Sequence, residues 1–174
     1  TNWGMTKNQV KKIEKEKLIG EDELTLRYFT IINKLEFKLE YEFRNDSLKK
    51  VLYTTTRSYN PDIQLNIFLL LKDIINEKYQ VKPTSRHIIP SQYKNNLISG
   101  IKNGVITLND EWSTPKTYIE LKLVCDKNGY INTTLVYLEK EYKDLLDNLK
   151  NKDNNKNKKK RDIKKEREDL KKYF

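Results

Sequence analysis

The sequence predicts an α+β protein: an antiparallel sheet of about six strands packed on one side by helices, in the order α-βββ-α-βββ-α, with a lysine-rich helical C-terminal extension. Three observations lead there. In LEFKLEYEF, Leu35, Phe37, Leu39, Tyr41 and Phe43 alternate strictly with Glu36, Lys38, Glu40 and Glu42, the pattern of a strand with one buried and one solvated face. From Asn60 the spacing changes, and Ile63, Ile67, Leu70, Leu71, Ile74 and Ile75 form a helical stripe. Asn128-Gly129 then separates two apolar runs, a strong short-range hairpin signal.

Taken in order, the elements begin with Thr6-Lys7-Asn8-Gln9, which fits a capping box: Thr6 and Gln9 satisfy each other's amides at a helix start. Met5 and Val10 occupy the two positions of a hydrophobic staple, Gly4 lets the chain turn, and Trp3 can cover the end of the core. This helix is expected to run past Ile13 and Leu18 and to close at Gly20. Three strands follow, at Leu24–Ile31, Leu35–Phe43 and Leu48–Thr56, the last two joined by the turn residues of RNDS. Asn60 caps the second helix with Pro61 at its first position, and the helix stops near Tyr79, ahead of Pro83. An irregular stretch around Tyr93, Leu97 and Ile98 holds a short helix at most. Strands resume over residues 105–112, 116–125 and 130–138, with Ile119, Leu121, Leu123 and Cys125 on one face. The halves could be a diverged repeat, but no residue pattern recurs.

Residues 1–149 suit one domain and 150–174 a tail. The net charge of +10 is uneven: the tail holds twelve Lys/Arg against five Asp/Glu, while the body is nearly balanced. Much of the tail reads as polar low complexity, with helical spacing resuming at RDIKKEREDLKKYF. Alanine is absent while Lys, Asn, Ile and Tyr abound, a composition matching AT-rich coding, which discounts lysine number as a functional sign. No apolar run approaches the ~20 residues of a membrane helix, and no signal-peptide pattern appears. Because the sequence opens at Thr1, the compartment stays open. The lone Cys125 cannot close an intramolecular disulfide.

Nothing along the chain assembles a catalytic, metal or cofactor signature. His87 is the only histidine, so a triad or a histidine-based metal site would have to be built around it, and no acid neighbours it in sequence. Cys125 falls on the apolar side of a strand, where a thiol behaves as a small hydrophobe. Glu36, Glu40 and Glu42 share a solvated face with Lys38, unlike the unequal environments that acid–base pairs need. The glycines are too scattered to cradle a phosphate. Eleven tyrosines could stack bases, but most alternate into the core.

The opening W-G-M-T-x-x-Q-V, followed by LEYEF and LKKVLY, resembles small bacterial domains with a WGM start and, more distantly, BamE-like and beta-lactamase-inhibitor-like modules. The resemblance spans Trp3 to Tyr53. It departs from those modules in placing one helix, not two, before the strands. It implies a non-enzymatic module that binds another protein outside the cytoplasm, at the bacterial cell envelope. Trp3, Trp112, Tyr59 and Tyr93 are the aromatic anchors expected of such a surface. The alternative is a nucleic-acid-binding accessory protein using Lys158, Lys159, Lys160, Arg161, Lys164 and Lys165 of the tail against phosphates.

Overall fold

The computed structural model describes residues 1–55 and 60–152. Its elements are α1 (Lys7–Ile13), β1 (Lys17–Glu21), β2 (Thr25–Ile32), β3 (Leu35–Arg44), β4 (Ser47–Thr55), α2 (Pro61–Tyr79), β5 (Thr84–Ser85), α3 (Leu97–Lys102), β6 (Leu108–Ser113), β7 (Thr117–Cys125) and β8 (Ile131–Glu139), with a 3-10 turn at Ser91–Tyr93. The strands form one antiparallel sheet in the order β1-β2-β3-β4-β8-β7-β6-β5. Each half is therefore a helix followed by a meander that starts at an edge, and the last strands of the two meanders, β4 and β8, pair at the centre. Residues 1–140 make one compact unit, and a second begins at Glu141. Residues 140–152 are helical, with an ion pair from Lys143 to Asp147 inside the second unit. The rest of the expected lysine-rich extension, and Tyr59, lie outside the described residues.

The sheet has eight strands where about six were expected, and β1 is the informative miss. α1 begins as predicted: Gln9 N–H donates to Thr6 Oγ1 at 3.3 Å, and Thr6 N–H donates to Gln9 Oε1 at 2.8 Å. It ends at Ile13, not Gly20. Glu14 accepts from the amides of Lys15 and Glu16, which turns the chain out of the helix. Lys17–Glu21 then pairs with β2, and Gly20 sits at a register shift opposite Arg27 instead of capping a helix. Val10 alone of α1 is fully buried, so a single apolar anchor holds this two-turn helix to the sheet.

The inner face follows the predicted alternation. Leu26, Tyr28, Leu39, Tyr41, Phe43, Leu48 and Val51 pack with Val10 of α1, while Phe37 joins the cluster under α2. Ile119, Leu121, Leu123, Leu108, Trp112, Ile131 and Leu135 pack under Ile67, Phe68, Leu71 and Ile75 of α2, with Ile101 of α3. The α2 stripe is rotated from the expected one: Gln64 and Phe68 turn inward, while Ile63 is half exposed. Gln64 is at home there because it joins the central strands, accepting from Thr55 Oγ1 at 2.9 Å while its carbonyl accepts from Thr133 Oγ1 at 3.1 Å. On the opposite face Glu40 pairs across strands with Arg27, and Glu42 pairs across strands with Lys50 and along its own strand with Arg44, so these two acids are neutralised on the sheet.

Tight turns hold the meanders. The β2–β3 and β3–β4 hairpins use two-residue loops, Asn33-Lys34 and Asn45-Asp46, with all four residues at positive φ. The expected Asn128-Gly129 hairpin forms differently: Asp126 Oδ1 accepts from the amides of Asn128 and Tyr130, and only Gly129 takes positive φ. Lys34, at φ 66°, occupies a conformation that costs a non-glycine residue about 1–2 kcal/mol. Lys34→Gly should therefore raise unfolding stability by about 1 kcal/mol in a urea titration, whereas Gly129→Lys should lower it. A loss of stability in Lys34→Gly would mean that the loop is not of this type.

Candidate functional site

Tyr53 and Tyr137 sit at the border of both apolar clusters, where the two halves of the sheet join. Over that border opens a cleft of about 330 Å³. Val51, Tyr53 and Tyr137 of the central strands form its floor, Trp3 and Tyr79 stand beside it, and Lys78 and Lys116 line it with Thr117. Strand register explains the floor, since Val51 lies opposite Tyr137, and Tyr53 lies opposite Leu135 on the same inner face.

Trp3 is fixed in place. Its Nε1 donates to Thr117 Oγ1 at 2.8 Å, which ties the N-terminal segment to β7. Gly4 N–H donates to the Leu48 carbonyl, and Leu48 N–H to that of Met5, so the same segment is stitched along β4. Gly4 takes φ 83°, a turn that a side chain would strain, and this is what brings the indole over the cleft. The three tyrosines brace one another: Tyr53 and Tyr137 meet edge-on with centroids 6.2 Å apart, and Tyr79 and Tyr137 lie 6.5 Å apart. Burial pushes the Tyr53 and Tyr137 phenols up from their ordinary range, and for Tyr137 neighbouring Tyr79 adds to the effect. Both hydroxyls therefore remain neutral donors at any physiological pH.

Among the described residues, no carboxylate lines the cleft. Lys78 lies 5.2 Å from the Tyr79 ring centroid, and neither Lys78 nor Lys116 has a carboxylate partner among the described residues. Among the described residues, the result is a recess with an aromatic floor, a neutral hydroxyl donor on Tyr53 and two exposed lysines without an acidic neighbour.

A second polar cluster lies beneath α2. Asp110 of β6 is fully buried; Ser85 Oγ donates to its Oδ1, His87 Nε2 stands 3.1 Å from that same oxygen, and Lys72 Nζ lies 2.8 Å from Oδ2. The side-chain types are those of a Ser-His-Asp triad, but the geometry is not. Serine and histidine both contact the carboxylate, so the histidine is not placed to take the serine proton. Burial opposes the charge on Asp110, yet the bonds from Lys72 and Ser85, with the nearby Lys72 and His87, prevail and hold the carboxyl below its ordinary range. This is a caged buried carboxylate, and the sequence missed it because its members are spread from residue 72 to residue 110.

The aromatic anchors read from sequence divide. Trp3 lines the cleft. Trp112 does not face a partner: it is 1% exposed, and its Nε1 donates to Asn76 Oδ1 at 2.9 Å, which makes it a core residue. Tyr93 packs beside Gly100 and accepts from Asn103 Nδ2 at 3.3 Å, away from the cleft. Tyr59 and the tail cations Lys158, Lys159, Lys160, Arg161, Lys164 and Lys165 fall outside the described residues. Cys125 is partly buried; burial, then Asp126, raises its thiol above the ordinary range, the reverse of an activated nucleophile. No helix is long and apolar enough to cross a membrane, among the described residues. Comparison with protein-family models, curated proteins and solved structures found no match.

Proposed function

We propose that the chain is a non-enzymatic protein-binding module that takes a segment of a partner into the cleft between its two halves. The observation that carries this reading is the convergence of Trp3, Tyr53, Tyr79 and Tyr137 on one recess, with the rings braced by one another and therefore already ordered before binding. Tyrosine and tryptophan offer large contact area with few torsions to freeze, which is why they dominate the energetics of protein interfaces. The resemblance of Trp3–Tyr53 to extracytoplasmic protein-binding modules supports the same direction and a setting at the bacterial cell envelope.

The test uses a partner captured by the intact chain. Tyr79→Ala, whose ring is half-buried at the cleft, should weaken that complex about tenfold or more, with a change in melting temperature of only a few degrees. Lys38→Ala on the opposite face should leave the complex unchanged. A complex indifferent to Tyr79→Ala but lost on Lys38→Ala would place the binding surface elsewhere.

A further inference from the structure

Resting on that reading, we propose that the feature recognised in the cleft is a carboxylate on the partner segment, an acidic side chain or chain terminus held by Lys78 and Lys116. Lys7, Lys11, Lys49, Lys50 and Lys72 all have an Asp or Glu within ion-pair distance in this unit. The cleft differs from those sites in its lining, which holds two lysines and, among the described residues, no acid. An unpaired lysine on a flat surface signifies little, because water screens it. These two are exposed as well, so each ion pair is worth a few-fold in affinity at most; what sets them apart is that both flank one recess with an aromatic floor.

The chemistry of the other lining groups selects among anions. The Tyr53 phenol stays protonated and so offers a donor, while the Tyr137 hydroxyl is already committed to Tyr79 and Trp3 Nε1 to Thr117. Among the described residues no arginine lines the cleft, so they supply no planar two-point grip of the kind that favours phosphate. Tyr53 and Tyr137 meet edge-on, and Lys78 stands by Tyr79, so these rings are not set out as plates for stacked bases. A carboxylate seated between two point charges and the Tyr53 hydroxyl fits better than a nucleotide.

The experiment titrates the full chain, following binding by isothermal titration calorimetry, with the blocked peptide acetyl-Gly-Glu-Leu-Glu-Gly-amide, its glutamine counterpart, free glutarate and oligo(dT). The same series is run on Lys78→Gln/Lys116→Gln and on the control Lys38→Gln. The expected result is that the acidic peptide binds about tenfold tighter than the glutamine peptide, and that this preference vanishes in the double variant and survives in Lys38→Gln; each lysine is expected to contribute up to about fivefold. Equal binding of the two peptides would overturn the carboxylate assignment and leave the protein-binding reading standing. Glutarate binding as tightly as the acidic peptide would keep the carboxylate and overturn the protein-segment reading. Displacement of the peptide by oligo(dT), lost in the double variant, would overturn the proposal in favour of phosphate. Failure of both peptides to bind would overturn it outright.

Discussion

Lys72→Met should destabilise the protein by about 3–5 kcal/mol at neutral pH, lowering the melting temperature by roughly 10 °C. The reason is Asp110. Its carboxylate is fully buried, and Lys72 is the partner of Oδ2, with Ser85 and His87 both on Oδ1. Without Lys72 the carboxylate keeps the cost of leaving water and loses its main compensation. The double variant Lys72→Met/Asp110→Leu should recover most of the loss, since apolar groups of similar volume replace buried ion pairs at little net cost.

The sign with pH follows from the direction of the shift. Asp110 is held below its ordinary range in the folded chain, so its stabilising contribution is complete above the unfolded value near 4 and disappears as pH falls through the lower folded value. Wild type should therefore lose this contribution on acidification below about pH 4. Lys72→Met should lose less over the same range, because a carboxyl left buried without its cation is relieved by taking up a proton. Stability of Lys72→Met within 1 kcal/mol of wild type at neutral pH would contradict the buried ion pair.

Trp112→Ala should cost about 3–5 kcal/mol, from the lost transfer energy and the cavity left behind. Trp112 is 1% exposed among the residues under α2, and its indole nitrogen holds Asn76 Oδ1 of that helix. Trp112→Phe should restore much of the volume but leave Asn76 without its donor, at a cost of about 1–2 kcal/mol. A denaturant titration reads both. Trp3→Ala, in the half-exposed indole of the cleft, should cost far less stability than Trp112→Ala. Equal losses from the two tryptophans would mean that Trp3 is core rather than cleft.

The contrast between the tryptophans shows what the sequence made legible. Trp3 was placed beside a helix start by local signals, the capping box at Thr6 and the staple of Met5 and Val10, and the cap forms as expected. Trp112 reads as an anchor for a partner because LNDEWS, with Asp110 on the face of Leu108 and Trp112, carries no apolar alternation to mark its inward side; pairing with Ile119 turns the indole into the core. The strand at Leu35–Arg44 and the Asn60-Pro61 helix start were readable because period and capping are local. β1 was not, because Leu18 and Ile19 fit a helix continuing from Val10 as well as a strand, and only pairing with β2 decides between them. The cleft was invisible for a related reason. Its residues come from the N-terminal segment, β4, the end of α2, the β6–β7 turn and β8, and only the pairing of β4 with β8 brings them together.

Whether a partner enters that cleft is decided most directly by site-specific photo-crosslinking. A benzophenone amino acid placed at position 116, beside the cleft, is compared with the same group at position 38 on the opposite face. Crosslinking from position 116 should join the chain to a partner protein through an acidic segment, and Lys78→Gln should weaken the product. Position 38 should give little or none. A partner crosslinked from position 38 and absent from position 116 would contradict a binding site between the two halves.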